Sequence, residues 1–98
     1  MSGGEQPIER QSYTLEAVLE ITGVERDTVL RYCEIGVLAI GPDEIDDADF
    51  TDESIRRLLL AEHLRCQHGL NLVGVRMIME LTAEVERLRE ELRFQLES

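Results

Sequence analysis

The last third of the chain narrows the possible folds more than any other stretch. Asn71 can cap a helix from Leu72 to about Leu96, some twenty-five residues and far longer than one compact domain of this size needs. Along it Ile78, Leu81, Val85, Leu88 and Leu92 alternate spacings of three and four, the a/d pattern of a coiled-coil seam. Gln95 takes the next core position, so the seam stays under three heptads. An isolated helix of this length is marginal in water, and its stripe needs cover. Two arrangements supply it: a homodimer in which antiparallel helices meet through these residues, or a helix folded back on its own domain.

The segments before it read as shorter helices set between stop signals. Residues 1–12 are rich in glycine and polar residues without periodicity and are expected to form a flexible leader. Thr14 can cap a helix with Leu15, Val18 and Leu19 as its apolar stripe, ending about Thr22 and Gly23. A second helix runs from about Glu25 to Ile35 and buries Val29, Tyr32 and Cys33, with Gly36 placed for the left-handed conformation that ends helices. Two short helices joined through Thr22, Gly23 and Val24 have the outline of a helix-turn-helix. Residues 39–50 contain the helix breaker Gly41-Pro42 and fit either a small two-stranded wing or an irregular loop.

Thr51 caps a third helix, helped by Asp52 and Glu53 at the positive end of its dipole, and Gly69 closes it. On its wheel Ile55, Leu58, Leu59 and Cys66 fall on one side and Leu60 and Leu64 nearly opposite, which predicts a central helix packed on two faces. Glu62 projects into the first stripe and needs a basic neighbour, for which Arg65 and Arg31 are the candidates. The expected organisation is therefore mainly all-α: a leader over 1–12, a helix-turn-helix domain over 13–70 and a long dimerisation helix over 71–98.

Charge decides between the partners such a domain can have. From Gly41 to Glu53 the chain places seven carboxylates in thirteen residues, with no Lys or Arg among them. They repel phosphate where a DNA-binding domain of this outline presents its basic wing, and they suit a positively charged protein surface instead. The whole chain agrees, with a formal net charge of -11. On charge alone, Asp43, Glu44, Asp46, Asp47 and Asp49 are the candidate partner-binding residues, and nucleic acid is not an expected partner.

The segments YTLEAVLEITGVERDTVLRYCEIGVL and FTDESIRRLLLAEHLRCQHGLNLVGVRMIMEL resemble the MerR-like helix-turn-helix superfamily over Tyr13 to Leu81. Tyr13-Thr14, Gly23-Val24, Thr28, Tyr32, Gly36-Val37-Leu38, Phe50, the Leu58 to Leu64 stretch, Gly69-Leu70 and the long last helix carry the resemblance. Within that superfamily the chain looks most like the small chaperone-modulator proteins of the CbpM type, to which its size, acidity and lack of an effector domain also correspond. It departs from the regulators where a recognition helix ordinarily offers Arg and this one has Asp27 and Leu30, and where a basic wing is replaced by carboxylates. The resemblance implies a winged helix-turn-helix with a coiled-coil-like C-terminal helix. It also implies binding to the J-domain of a DnaJ-like, CbpA-type co-chaperone, which is kept from its DnaK-type ATPase. J-domains present a basic helix to that ATPase, and an acidic surface can compete for it.

The remaining chemistry is sparse. His63, Cys66 and His68 fall within six residues, but His68 is rotated away and no fourth ligand is near, so neither metal nor cofactor is expected. Paired carboxylates occur only in the exposed acidic segment, and no nucleophile-base pairing or phosphate loop stands out, so an enzyme is not expected. Cys33 and Cys66 read as free thiols packed as small hydrophobes. No run approaches a membrane span and the N-terminus lacks signal-peptide character, which predicts a cytoplasmic protein. The alternative function is a small MerR-family DNA-binding transcriptional regulator, with Arg31, Arg56 and Arg57 as its basic face.

Overall fold

The computed structural model describes residues 12–97, and the expected leader lies outside them but for Ser12. The helices are α1 (Leu15–Thr22), α2 (Arg26–Glu34), α3 (Asp52–His68) and α4 (Leu72–Glu97), with a 3-10 turn at Pro42–Glu44. Each boundary has a local cause. The Thr14 hydroxyl accepts from the Ala17 amide at 3.2 Å and the Thr51 hydroxyl from Ser54 at 3.1 Å. The Asn71 side chain accepts from the Gly74 amide at 2.8 Å and starts α4. At the end of α2, Gly36 turns to φ 87°, the Val37 amide donates to the Tyr32 carbonyl at 2.9 Å and the Gly36 amide to Cys33 at 3.2 Å. This is a Schellman closure, and its positive φ needs glycine.

The core is built where these helices converge. Val18, Val29, Tyr32, Val37, Ile45, Phe50, Leu58 and Val75 are the largest fully buried side chains, joined by Leu15, Cys33, Leu38, Ala61 and Met79. Val75 and Met79 belong to the first two turns of α4, so the domain extends beyond residue 70 and includes the start of the long helix. From residue 80 to residue 97 every position is exposed; Thr82, Ala83 and Glu86 still border α3 across a groove, and the helix beyond them projects for roughly 16 Å. The radius of gyration of 16.1 Å exceeds the about 13 Å of a compact chain of this length, as that projection requires.

The structure narrows two alternatives that the sequence left open and changes the expected packing of the third helix. Among the described residues there is no strand pair in 39–50; the segment is irregular, with an isolated antiparallel bridge between Tyr13 and Phe50. Ile45 and Phe50 enter the core five residues apart, which fixes a loop but offers no alternation for a ladder. The third helix is packed on one face: Leu58 and Ala61 are buried with Ile55 and Leu64 against them, while Leu59 and Leu60 are 45% and 38% exposed and Cys66 is exposed. α4 borders Leu60 across an open groove and leaves it exposed. The seam is not folded back either, because Ile78, Leu81, Val85, Leu88 and Leu92 all lie open.

Candidate functional site

The acidic loop is a fixed platform. Its backbone is tied at one end by paired Tyr13 and Phe50 hydrogen bonds of 2.8 and 2.9 Å, and in the middle by Ile45, whose side chain is buried. Asp43, Glu44, Asp46, Asp47 and Asp49 are all exposed around these anchors. Backbone anchored in this way lowers the ordering cost on binding to that of the side chains themselves.

The seven carboxylates are not equivalent. Both oxygens of Asp46 accept from the Arg26 guanidinium, at 2.8 and 2.9 Å, which clamps the loop to the first turn of α2. The hydrogen bond and the charge of Asp46 raise the Arg26 pKa. Asp52 accepts from the Tyr13 hydroxyl at 2.8 Å, and that bond raises the Tyr13 pKa. Glu53 pairs with Arg56. Asp43, Glu44, Asp47, Asp49 and Asp52 have no ion pair among the described residues, so the expectation of seven uncompensated charges reduces to five, four of them on the loop itself.

α2 occupies the place of the recognition helix, whose N-terminal residues meet base edges in a DNA-reading helix-turn-helix. Here those residues are Arg26, already held by Asp46, and the exposed Asp27. Arg31 is exposed one turn on and has no ion pair among the described residues; it lines one pocket with Asp27 and Arg65, and Arg65 is paired with Glu62. Of the other candidate basic residues, Arg56 pairs with Glu53, and Arg57 donates to the Val37 carbonyl at 2.7 Å, which ties α3 to the end of α2. The Arg26 clamp could not be read from sequence, since twenty residues and an irregular loop separate its partners.

The neighbour of Glu62 is Arg65, whose guanidinium reaches both carboxylate oxygens at 3.0 and 3.1 Å. The Tyr32 hydroxyl donates to Glu62 at 3.0 Å and accepts from Arg65 at 3.2 Å, joining α2 to α3. Burial and the facing Glu62 push the Tyr32 pKa up to about 12 against the opposing pull of Arg65. Cys66 donates to Glu62 at 3.4 Å from the surface, whereas Cys33 is buried, which raises its pKa. His63 and His68 meet edge to face, with ring centroids 5.6 Å apart. Among the described residues no group of three or more His, Cys, Asp or Glu is arranged to hold a metal ion, and no helix is long and apolar enough to cross a membrane.

The second surface is α4. Ile78, Leu81, Val85, Leu88 and Leu92 are 38%, 60%, 46%, 47% and 57% exposed, in one stripe along the helix. Flanking them, Arg87 pairs with Glu84 and reaches Glu91 at 3.6 Å, and the same bond lowers the Glu84 pKa. The sequence reading did not identify Leu60 and Leu96 as surface residues, at 38% and 78% exposure. The run Leu58-Leu59-Leu60 carried the signal: three consecutive helical residues span about 200° of arc, more than one packed face holds.

Residues 13–82 match the family of MerR HTH family regulatory proteins. No curated protein and no solved structure matches the chain.

Proposed function

Because the chain belongs to the MerR HTH family of regulatory proteins, and because the face that would meet DNA is acidic, we propose that this member binds a basic protein surface in place of a duplex. The partner is the J-domain of a DnaJ-like co-chaperone, held away from its DnaK-type ATPase as by the CbpM-type modulators that the sequence resembles. The role is one of binding, without catalysis or cofactor. The observation that carries this reading is the anchored loop with its four unpaired carboxylates, Asp43, Glu44, Asp47 and Asp49, beside Asp27 on α2. A basic helix laid along this edge meets charge that is already in position, which favours encounter rate and selectivity.

Two copies pair through the α4 stripe. Five apolar side chains of α4 are left exposed by the described residues, and a two-stranded seam gives them cover. The dimer then offers two acidic platforms.

The test replaces Asp43, Glu44, Asp47 and Asp49 with Asn or Gln and leaves Asp46 to hold Arg26. The variant keeps its helical circular dichroism, associates more slowly with an isolated J-domain and shows a flatter salt dependence. Equal rates and equal salt slopes for wild type and variant would remove the loop from the interface. DNA binding with a steep salt dependence would instead support the regulator reading.

A further inference from the structure

Beside the acidic face, α2 borders a recess of about 360 Å³ lined by Asp27, Thr28 and Arg31, with Arg65 of α3 and Leu72 at the start of α4. Arg65 is fixed there: its Nε donates to the Tyr32 hydroxyl and its Nη2 to both oxygens of Glu62, which leaves Nη1 without a hydrogen bond among the described residues. Arg31 makes no ion pair among the described residues, although Asp27 stands four residues before it, at a spacing that favours a helical pair. Across residues 25–50 the other charges without an ion pair, Glu25, Asp27, Glu34, Asp43, Glu44, Asp47 and Asp49, are all negative, and Arg31 alone is positive. An acidic surface by itself attracts a basic helix in any register. A positive charge set into that surface removes the degeneracy, because it repels the helix in every register except one that brings a carboxylate to it.

We propose that the recess between α2 and α3 receives a carboxylate side chain of the partner, held by Arg31 and by Nη1 of Arg65, while Asp27 takes a basic residue beside it. The site rests on the basic partner proposed above and narrows it to one whose basic surface carries an acidic residue in register. Half of the site is preset, since Tyr32 and Glu62 hold the Arg65 guanidinium before anything binds. Arg31, exposed and unpaired, supplies the other half, and half-buried Leu72 offers cover for the aliphatic part of the incoming side chain. A nucleic-acid phosphate is the other anion that two arginines take. A duplex, however, brings only negative charge toward the free carboxylates of α2 and the loop, whereas a carboxylate on a basic helix arrives among cations that those carboxylates attract.

The experiment measures the affinity of the full chain for an isolated J-domain in the wild type and in the Arg31→Gln and Arg31→Glu variants, with helical circular dichroism to show that each variant is folded. On acidity alone Arg31→Glu would tighten binding, because it adds a carboxylate to an acidic face. A seated carboxylate gives the reverse: Arg31→Gln weakens binding by about threefold to tenfold, and Arg31→Glu weakens it further. A double-mutant cycle then combines Arg31→Glu with charge reversal at each Asp and Glu of the J-domain in turn, and one reversal restores affinity that both single changes lose. Equal or tighter binding by Arg31→Glu, or no J-domain carboxylate coupled to it, overturns the carboxylate site and leaves the J-domain reading standing. A wild-type chain that binds no J-domain removes both. Wild-type binding to a DNA duplex that is lost in Arg31→Gln would assign the recess to phosphate and overturn the proposal as well.

Discussion

At Tyr32 a buried ring ends in a hydroxyl that must be satisfied between two helices. Glu62 accepts from it and Arg65 donates to it, so α2 and α3 are held by a hydrogen-bonded triangle as well as by apolar packing. That Glu62 needed a basic neighbour was legible from its place on an apolar stripe. The choice of Arg65 over Arg31 was not, because it depends on how α2 crosses α3. The triangle has a consequence for pH. The Tyr32 pKa is raised from 10.0 to about 12, so its contribution to stability is complete below the unfolded value near 10 and is lost as pH rises through about 12. In Tyr13→Phe, where Tyr32 is the remaining tyrosine, phenolate absorbance should appear together with loss of helical circular dichroism, well above the ordinary value. Phenolate formation near pH 10 with the helices intact would contradict this burial. Tyr32→Phe should cost about 1 kcal/mol in urea unfolding, since Glu62 and Arg65 still pair with each other.

Helix boundaries followed from single residues. Thr14, Gly36, Thr51, Gly69 and Asn71 each stand at an end that the sequence identified, because a cap is a local interaction between neighbours in the chain. Gly36→Ala should cost about 1–2 kcal/mol by forcing a side chain into the left-handed region, read as a lower urea midpoint with an unchanged slope. Elements defined by contacts distant in sequence were less legible. The loop over 39–50 depends on Ile45 and Phe50 entering a core formed by other helices, and the one-sided packing of α3 depends on where α4 crosses it. Phe50→Ala should remove about 3–5 kcal/mol by leaving a cavity under the loop. In a small domain that is a large part of the whole, so thermal unfolding should begin near room temperature and the Tyr13 bridge should be lost with it.

On the scale of the whole molecule, a compact helix-turn-helix domain carries an acidic platform at one edge and a projecting helix at another. The division of charge was legible in the sequence, and so was the apolar stripe of α4; that Asp46 is paired was not, because Arg26 reaches it through the fold, whereas Arg56 and Glu53 pair within one turn of α3. Leu88→Asp places a charge in the seam and should yield a folded monomer by light scattering, since α3 and the first turns of α4 do not depend on that position. The central claim is that the inherited DNA-facing surface now serves a basic protein partner. One titration tests it most directly: the full-length protein against a fluorescent J-domain and against a fluorescent DNA duplex, both followed by anisotropy over a series of salt concentrations. The account predicts saturable binding to the J-domain that weakens as salt rises, with no measurable binding to the duplex near physiological salt. Sub-micromolar binding to the duplex, with the J-domain unbound at every salt concentration, would contradict it.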